Sequence, residues 1–203
     1  MTRALLALAA AAALLAGCAN DTSPESSPER VAAAAFREGG QPSLTVMTMV
    51  NNRTGQGGHT ALLVKASQTV IFDPAGSFRD ETVVERGDVL YGMSPAWVNA
   101  YRSAHARETF HVVSQEIPVT AAQAEQALRL VMTNGTVPAA FCASATTDLL
   151  RQVDGFSGIE QTFYPVRFME QIATLPNVRT TRLYENDNGE RVDVTGAVQT
   201  VSD

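Results

Sequence analysis

Apolar and polar positions along this chain mark out its elements in order. An apolar run, Leu5 to Leu15, comes first and is too short to span a bilayer with its flanks. Asn20 to Arg30 follows, rich in Ser, Pro, Asp and Glu and without a large apolar residue, so it cannot bury enough surface to offset its ordering entropy. Val31 to Phe36 reads as a short helix or as the end of that polar stretch. Leu44 to Val50 is β-like and runs into the polar, glycine-rich loop Asn51 to Gly58. Thr60 to Lys65 and Thr69 to Phe72 are short, apolar and β-branched, and Ala66-Ser67-Gln68 between them suits a hairpin connection. Asp73-Pro74-Ala75-Gly76-Ser77 then breaks the strand.

The second half alternates helix and strand signals. Ser94 caps a helix to Ala106 with Pro95 near its start and Trp97, Val98 and Tyr101 as apolar positions. Phe110 to Val119 is strand-like, and Thr120 caps an Ala- and Leu-rich helix, Ala121 to Thr133, that Asn134-Gly135 stops. A helix beginning at Cys142 and ending near Gly155 follows, then a shorter one within Phe163 to Leu175. Arg179 to Asp203 is polar and β-rich, an added hairpin or a loose tail. The pattern is that of one α+β domain over residues 43–203, a small antiparallel sheet packed on helices.

Composition narrows the partners. A net charge of -6 with scattered Lys and Arg is contrary to a nucleic-acid face, because phosphate neutralisation needs clustered basic residues. Three separated histidines without HxxxH or CxxC spacing form no recognisable zinc set, and no phosphate loop or dinucleotide fingerprint follows a strand, so no metal or cofactor is expected.

The two cysteines stand in different contexts. Arg3 and the run to Leu15 have the form of a signal peptide over residues 1–17, and Leu15-Ala16-Gly17-Cys18 resembles the lipobox of bacterial lipoproteins. That resemblance implies diacylglycerol on the Cys18 sulfur, cleavage before it, and a third fatty acyl chain of the palmitate class on the new terminus. Several chains together give stable attachment where one is marginal. It further implies a tether over residues 18–42 and, with no Asp directly after Cys18, an outer-membrane location facing the periplasm. Cys142 is then the only thiol of the mature chain, and no intramolecular disulfide can form.

Cys142 opens a helix, where unpaired N–H groups and the macrodipole favour thiolate. His59 enters the first hairpin strand after two glycines, and Asp73 closes the partner strand, so hairpin pairing brings the carboxylate toward the imidazole to hold its tautomer. His111, at the start of a strand, is the reserve for the third position or the base, and His105, at a polar helix end, reads as solvated.

Gly58-His59-Thr60-Ala61-Leu62-Leu63-Val64, Val70-Ile71-Phe72-Asp73-Pro74-Ala75-Gly76-Ser77-Phe78 and Phe141-Cys142-Ala143 with Asp148-Leu149-Leu150 resemble, in that order, the circularly permuted branch of the papain-like cysteine hydrolases. Relatives of cell-wall peptidases and of lecithin–retinol acyltransferase belong to that branch. The resemblance spans about Leu44 to Val153 and implies Cys142 as nucleophile, His59 as base and Asp73 as the residue that orients it. No glutamine before Cys142 completes an oxyanion hole, which leaves the backbone N–H groups at the helix start for that role. Glu85-Arg86-Gly87-Asp88-Val89 resembles a turn-and-strand motif of cell-wall peptidases. The leading expectation is a membrane-anchored thiol hydrolase of peptidoglycan peptides. A lipid or thioester acyl hydrolase or transferase on the same residues, and a non-enzymatic envelope lipoprotein, stay open beside it.

Overall fold

The computed structural model describes residues 25–185. The expected signal, the Cys18 anchor and the chain from residue 186 on lie outside the described residues. The fold is α+β: a seven-stranded antiparallel sheet in the order β4-β5-β3-β2-β1-β6-β7 with helices on both faces. The strands are β1 (Ser43–Asn51), β2 (Gly57–Lys65), β3 (Thr69–Phe72), β4 (Val84–Arg86), β5 (Val89–Tyr91), β6 (Phe110–Pro118) and β7 (Arg179–Leu183). The helices are α1 (Pro28–Ala34), α2 (Pro95–His105), α3 (Ala121–Asn134), α4 (Cys142–Leu150) and α5 (Pro165–Ala173). Among the described residues no helix is long and apolar enough to cross a membrane.

Period-two alternation divides the core. Leu44, Val46, Leu62, Val64, Val70 and Phe72 face Ala127 and Val131 of α3, Leu149 and Leu150 of α4, and Phe168 and Ile172 of α5. Met47, Met49, Ala61, Leu63, Ile71 and Leu90 face Tyr101 of α2 and Met93. Because both faces are covered, β1 is buried at every position from Ser43 to Val50, Thr45 and Thr48 included, instead of alternating between buried and exposed. The β2–β3 hairpin runs in register from Leu62↔Phe72 to Lys65↔Thr69, with the connection where the sequence places it.

Caps fix the helix starts. Ser94 accepts the Trp97 N–H at 3.4 Å, and Thr120 and Gln123 form a reciprocal capping box. Three expected bounds move. α4 ends at Leu150 and gives way to turns before Gly155. Arg179–Leu183 is the edge strand β7, paired with β6 and bearing two arginines, as exposed edges commonly do. Residues 25–36 belong to the packed body instead of the tether: Ser27 caps α1, Val31 joins the core, and the Ser26 N–H donates to the Glu85 carbonyl at 3.1 Å.

Candidate active site

The site forms where β3 stops short of its neighbour. β3 pairs with β2 no further than Leu62, so Gly58 to Ala61 meet no strand on that side. Close packing of the two glycines fixes the entry of β2: a Cβ on Gly57 would lie 2.7 Å from Pro165 Cβ, and one on Gly58 2.6 Å from Phe110 Cε1. Directly after β3 the chain turns through Asp73-Pro74-Ala75-Gly76, closed by the Gly76 N–H on the Asp73 carbonyl at 2.9 Å. The turn sets Asp73 Oδ1 2.7 Å from His59 Nε2. The Tyr101 hydroxyl donates to the same oxygen at 2.5 Å.

Cys142, the first residue of α4, fills the remaining space beside β2. Its thiol lies in the field of the His59 imidazole and of the Thr60 and Ala143 N–H groups, the three neighbours that draw its pKa down. Inside α4 the hydroxyl of Thr146 donates to the Cys142 carbonyl and that of Thr147 to the Ala143 carbonyl, each at 2.8 Å, so the buried threonines bind the helix's own first turn. The structure thus brings Cys142, His59 and Asp73 into one contiguous group.

Electrostatics within the group are strongly coupled. Burial disfavours a charged His59, but its hydrogen bonds to Asp73 and Cys142 outweigh this and raise its pKa to about 10. For Cys142, burial opposes ionisation, and the His59 hydrogen bond with the Thr60 and Ala143 N–H groups overcomes it, so the thiol lies below its ordinary value. Burial also opposes charge on Asp73, yet the His59 bond, aided by Tyr101, holds its carboxyl below the usual range. Burial first, and then the Asp73 charge, push the Tyr101 phenol well up, so that it stays a neutral donor. These directions favour charge separation between Cys142 and His59, with the Asp73 carboxylate steadying the imidazolium.

The other two histidines lie differently from expectation or outside the group. His105 is half-buried, not solvated: its Nδ1 is 2.7 Å from the Tyr101 carbonyl, and its ring stacks on that of His59 with centroids 6.1 Å apart. Burial lowers its pKa, which makes it a neutral neighbour. His111 is engaged by Asn52 Oδ1 at 2.7 Å and by the Tyr184 ring at 4.3 Å, so the third position beside His59 is held by Asp73.

Two participants escaped the sequence reading. Tyr101 reads as one more apolar position of its helix, although a buried tyrosine needs a partner for its hydroxyl. Gly76 reads as a turn residue, but a Cβ there would overlap Asp73 Oδ2. An aromatic rim adjoins Cys142 as well: the Phe141 and Phe163 rings meet edge to face at 5.5 Å, and both they and Tyr164 are exposed. Among the described residues no three His, Cys, Asp or Glu side chains gather as they would around a metal ion.

Comparison of the chain with protein-family models, with curated proteins and with solved structures finds no match in any of the three.

Proposed function

We propose that this protein is a cysteine hydrolase of the cell envelope, built as a permuted papain-like domain and anchored through lipid on Cys18, that cleaves amide bonds, with peptidoglycan stem peptides as the leading substrate. The observation that carries the reading is the 2.7 Å contact between His59 Nε2 and Asp73 Oδ1, with Cys142 at a helix start coupled electrostatically to the same imidazole. The order histidine strand, then cysteine helix, supports the permuted assignment.

In this reading the Cys142 thiolate attacks the carbonyl carbon, a C–S bond forms, and the oxygen takes the negative charge. N–H groups at the start of α4 stabilise that charge, and the macrodipole adds to them. His59 gives its proton to the nitrogen as the C–N bond breaks, and the amine leaves. Water then attacks the thioester, and neutral His59 takes its proton. The C–S bond breaks, releasing a carboxylic acid and restoring the thiolate–imidazolium pair.

A second reading, hydrolysis or transfer of an acyl group from an ester or thioester, is favoured by the rim of Phe141, Phe163 and Tyr164. These are three of the five exposed large apolar side chains among the described residues, and one directly precedes the nucleophile. Clusters of that kind usually mark a binding surface. The deciding experiment presents peptidoglycan fragments and short acyl esters separately and follows products by mass spectrometry. Cys142→Ala is expected to abolish turnover on whichever class reacts. Turnover surviving in that variant would overturn the covalent mechanism, and no turnover on either class by the wild type would leave an envelope lipoprotein without catalysis.

A further inference from the structure

Beside the reacting group stands a buried carboxylate that the chemistry above does not use. Arg86 pairs with Val89 across β4 and β5, so Gly87 and Asp88 are the two central residues of a tight hairpin turn, with φ of 56° and 59°. Two positive φ values match the twist of the flanking strands, and a side-chain-bearing residue accepts one less readily than glycine does. The turn aims Asp88 inward, where it is 2% exposed.

Its contacts reach both halves of the site. Asp88 Oδ2 accepts the Ala75 N–H at 3.0 Å and the Val137 N–H at 2.8 Å. Its carbonyl accepts the Asp73 N–H at 2.8 Å. Ala75 lies in the turn that folds Asp73 back onto His59. Val137 leads into a second turn, closed by the Phe141 N–H on the Pro138 carbonyl at 3.2 Å, which delivers Cys142 to the head of α4. A Cβ on Gly87 would lie 3.4 Å from Gly135 Cα, so the hairpin tip abuts the same incoming segment.

A second observation is independent of these bonds. Four non-glycine residues among those described have positive φ, and three of them, Ala75, Asp88 and Ala140, belong to these turns. Such conformations persist only where the surroundings over-determine them, and they gather at functional sites.

Resting on the reading of Cys142, His59 and Asp73 as one catalytic unit, we propose that Asp88 is its positioning residue. One carboxylate oxygen, bonded to the backbone behind the acid and to the backbone ahead of the nucleophile, fixes the distance between them. Asp88 acts through those two turns. Catalysis that depends on a pre-set geometry loses on the order of a hundredfold for a displacement of about 1 Å.

Two substitutions in the full-length protein separate the backbone from the side chain. Asp88→Gly keeps the positive φ and the carbonyl but removes the carboxylate. Asp88→Asn tolerates the same φ and keeps an oxygen with two lone pairs. Three readouts apply: amide exchange at Ala75 and Val137, the pH profile of Cys142 alkylation by iodoacetamide, and kcat against KM on the substrate class that turns over. Asp88→Gly is expected to speed exchange at both amides, move the thiol profile toward that of an ordinary cysteine and lower kcat about a hundredfold with KM little changed. Asp88→Asn is expected to restore all three. If Asp88→Gly does not fold, Asp88→Ser takes its place, its shorter hydroxyl reaching at most one of the two N–H groups, with an intermediate loss in each readout.

A wild-type thiol with an ordinary profile would overturn the catalytic reading and this proposal with it. A perturbed wild-type thiol that Asp88→Gly or Asp88→Ser leaves unmoved overturns the proposal alone. So does Asp88→Asn damage equal to that of Asp88→Gly.

Discussion

Tyr101 donates its hydroxyl to Asp73 Oδ1 at 2.5 Å, the same oxygen that faces His59 Nε2 at 2.7 Å. Two donors therefore hold one oxygen, while Oδ2 is buried without a partner among the described residues. Tyr101→Phe removes the second donor and leaves the ring in place. The expected cost is about 1.5–3 kcal/mol of stability, the range for a hydrogen bond to a charged group. Melting curves would show that cost, and kcat should fall several-fold, since the carboxylate can then swing away from the imidazole. Unchanged stability and kcat would mean that His59 alone holds Asp73.

The pH dependence follows from the raised His59 and the lowered Cys142. Turnover should be bell-shaped, with an acid limb below the usual thiol range and an alkaline limb near pH 10, where His59 loses its proton. Stability obeys the same signs. His59, raised above its ordinary 6.5, contributes fully below that value and loses its contribution as pH rises through about 10. Asp73, lowered from 3.8, contributes above that value and loses it as pH falls through its depressed folded pKa. The melting-temperature difference between wild type and His59→Ala should thus shrink as pH rises from 6.5 and level off above about pH 10. A difference that is flat across that range would argue against a charged His59.

Cys142 and His59 should behave as one unit. Cys142→Ala and His59→Ala are each expected to abolish turnover, and the double variant should be little worse than either, because groups acting on one step are grossly non-additive. Asp73→Asn should be milder, as it keeps an acceptor for the histidine and loses only the charge. Losses that multiply in the double variant would show two independent roles.

Phe163→Ser tests the aromatic rim, in which Phe163 is 54% exposed. If the rim receives an apolar acyl group, alkylation of Cys142 by N-alkyl haloacetamides should quicken with chain length relative to glutathione. The gain should be up to about fourfold per methylene, from roughly 0.8 kcal/mol of burial each. Phe163→Ser should flatten the series and spare the shortest reagent. A flat wild-type series would favour the peptide reading.

Cys18 lies outside the described residues, and its role is tested on the protein itself. Intact mass of the membrane fraction should show a mature chain that starts at acylated Cys18, and Cys18→Ser should leave it unacylated. A mature chain with a free terminus elsewhere would remove the anchor.

The sequence made the hairpin and the helix starts readable because each rests on local chemistry: β-branched runs, Ser94 and Thr120 as caps, Pro and Gly at breaks. His59, Asp73 and Cys142 were legible for a related reason, since the turn after β3 and the helix start put them on boundaries that residue types mark. β4 and β5 showed only through the resemblance of Glu85 to Val89 to a turn-and-strand motif, because strands of three residues are too short to display a period. Tyr101 and His105 were hidden by tertiary contact: a helix face reads alike whether it packs on apolar side chains or on a carboxylate and an imidazole. The Asp88 pattern was visible, but its bonds to Ala75 and Val137 join segments distant in sequence, and no local rule reports them.

His59 and Asp73 are only 14 residues apart and are joined through one hairpin, whereas Cys142 arrives from beyond β6 and α3. Closing a short loop costs less entropy than bringing in a distant segment, so the imidazole–carboxylate contact can form in a chain whose later half is still unfolded. A thiol is ordinary until α4 docks beside β2. Cys142 therefore carries its own folding clock: during refolding, its rapid alkylation near neutral pH should appear only once α4 docks beside β2, later than any signal from the hairpin.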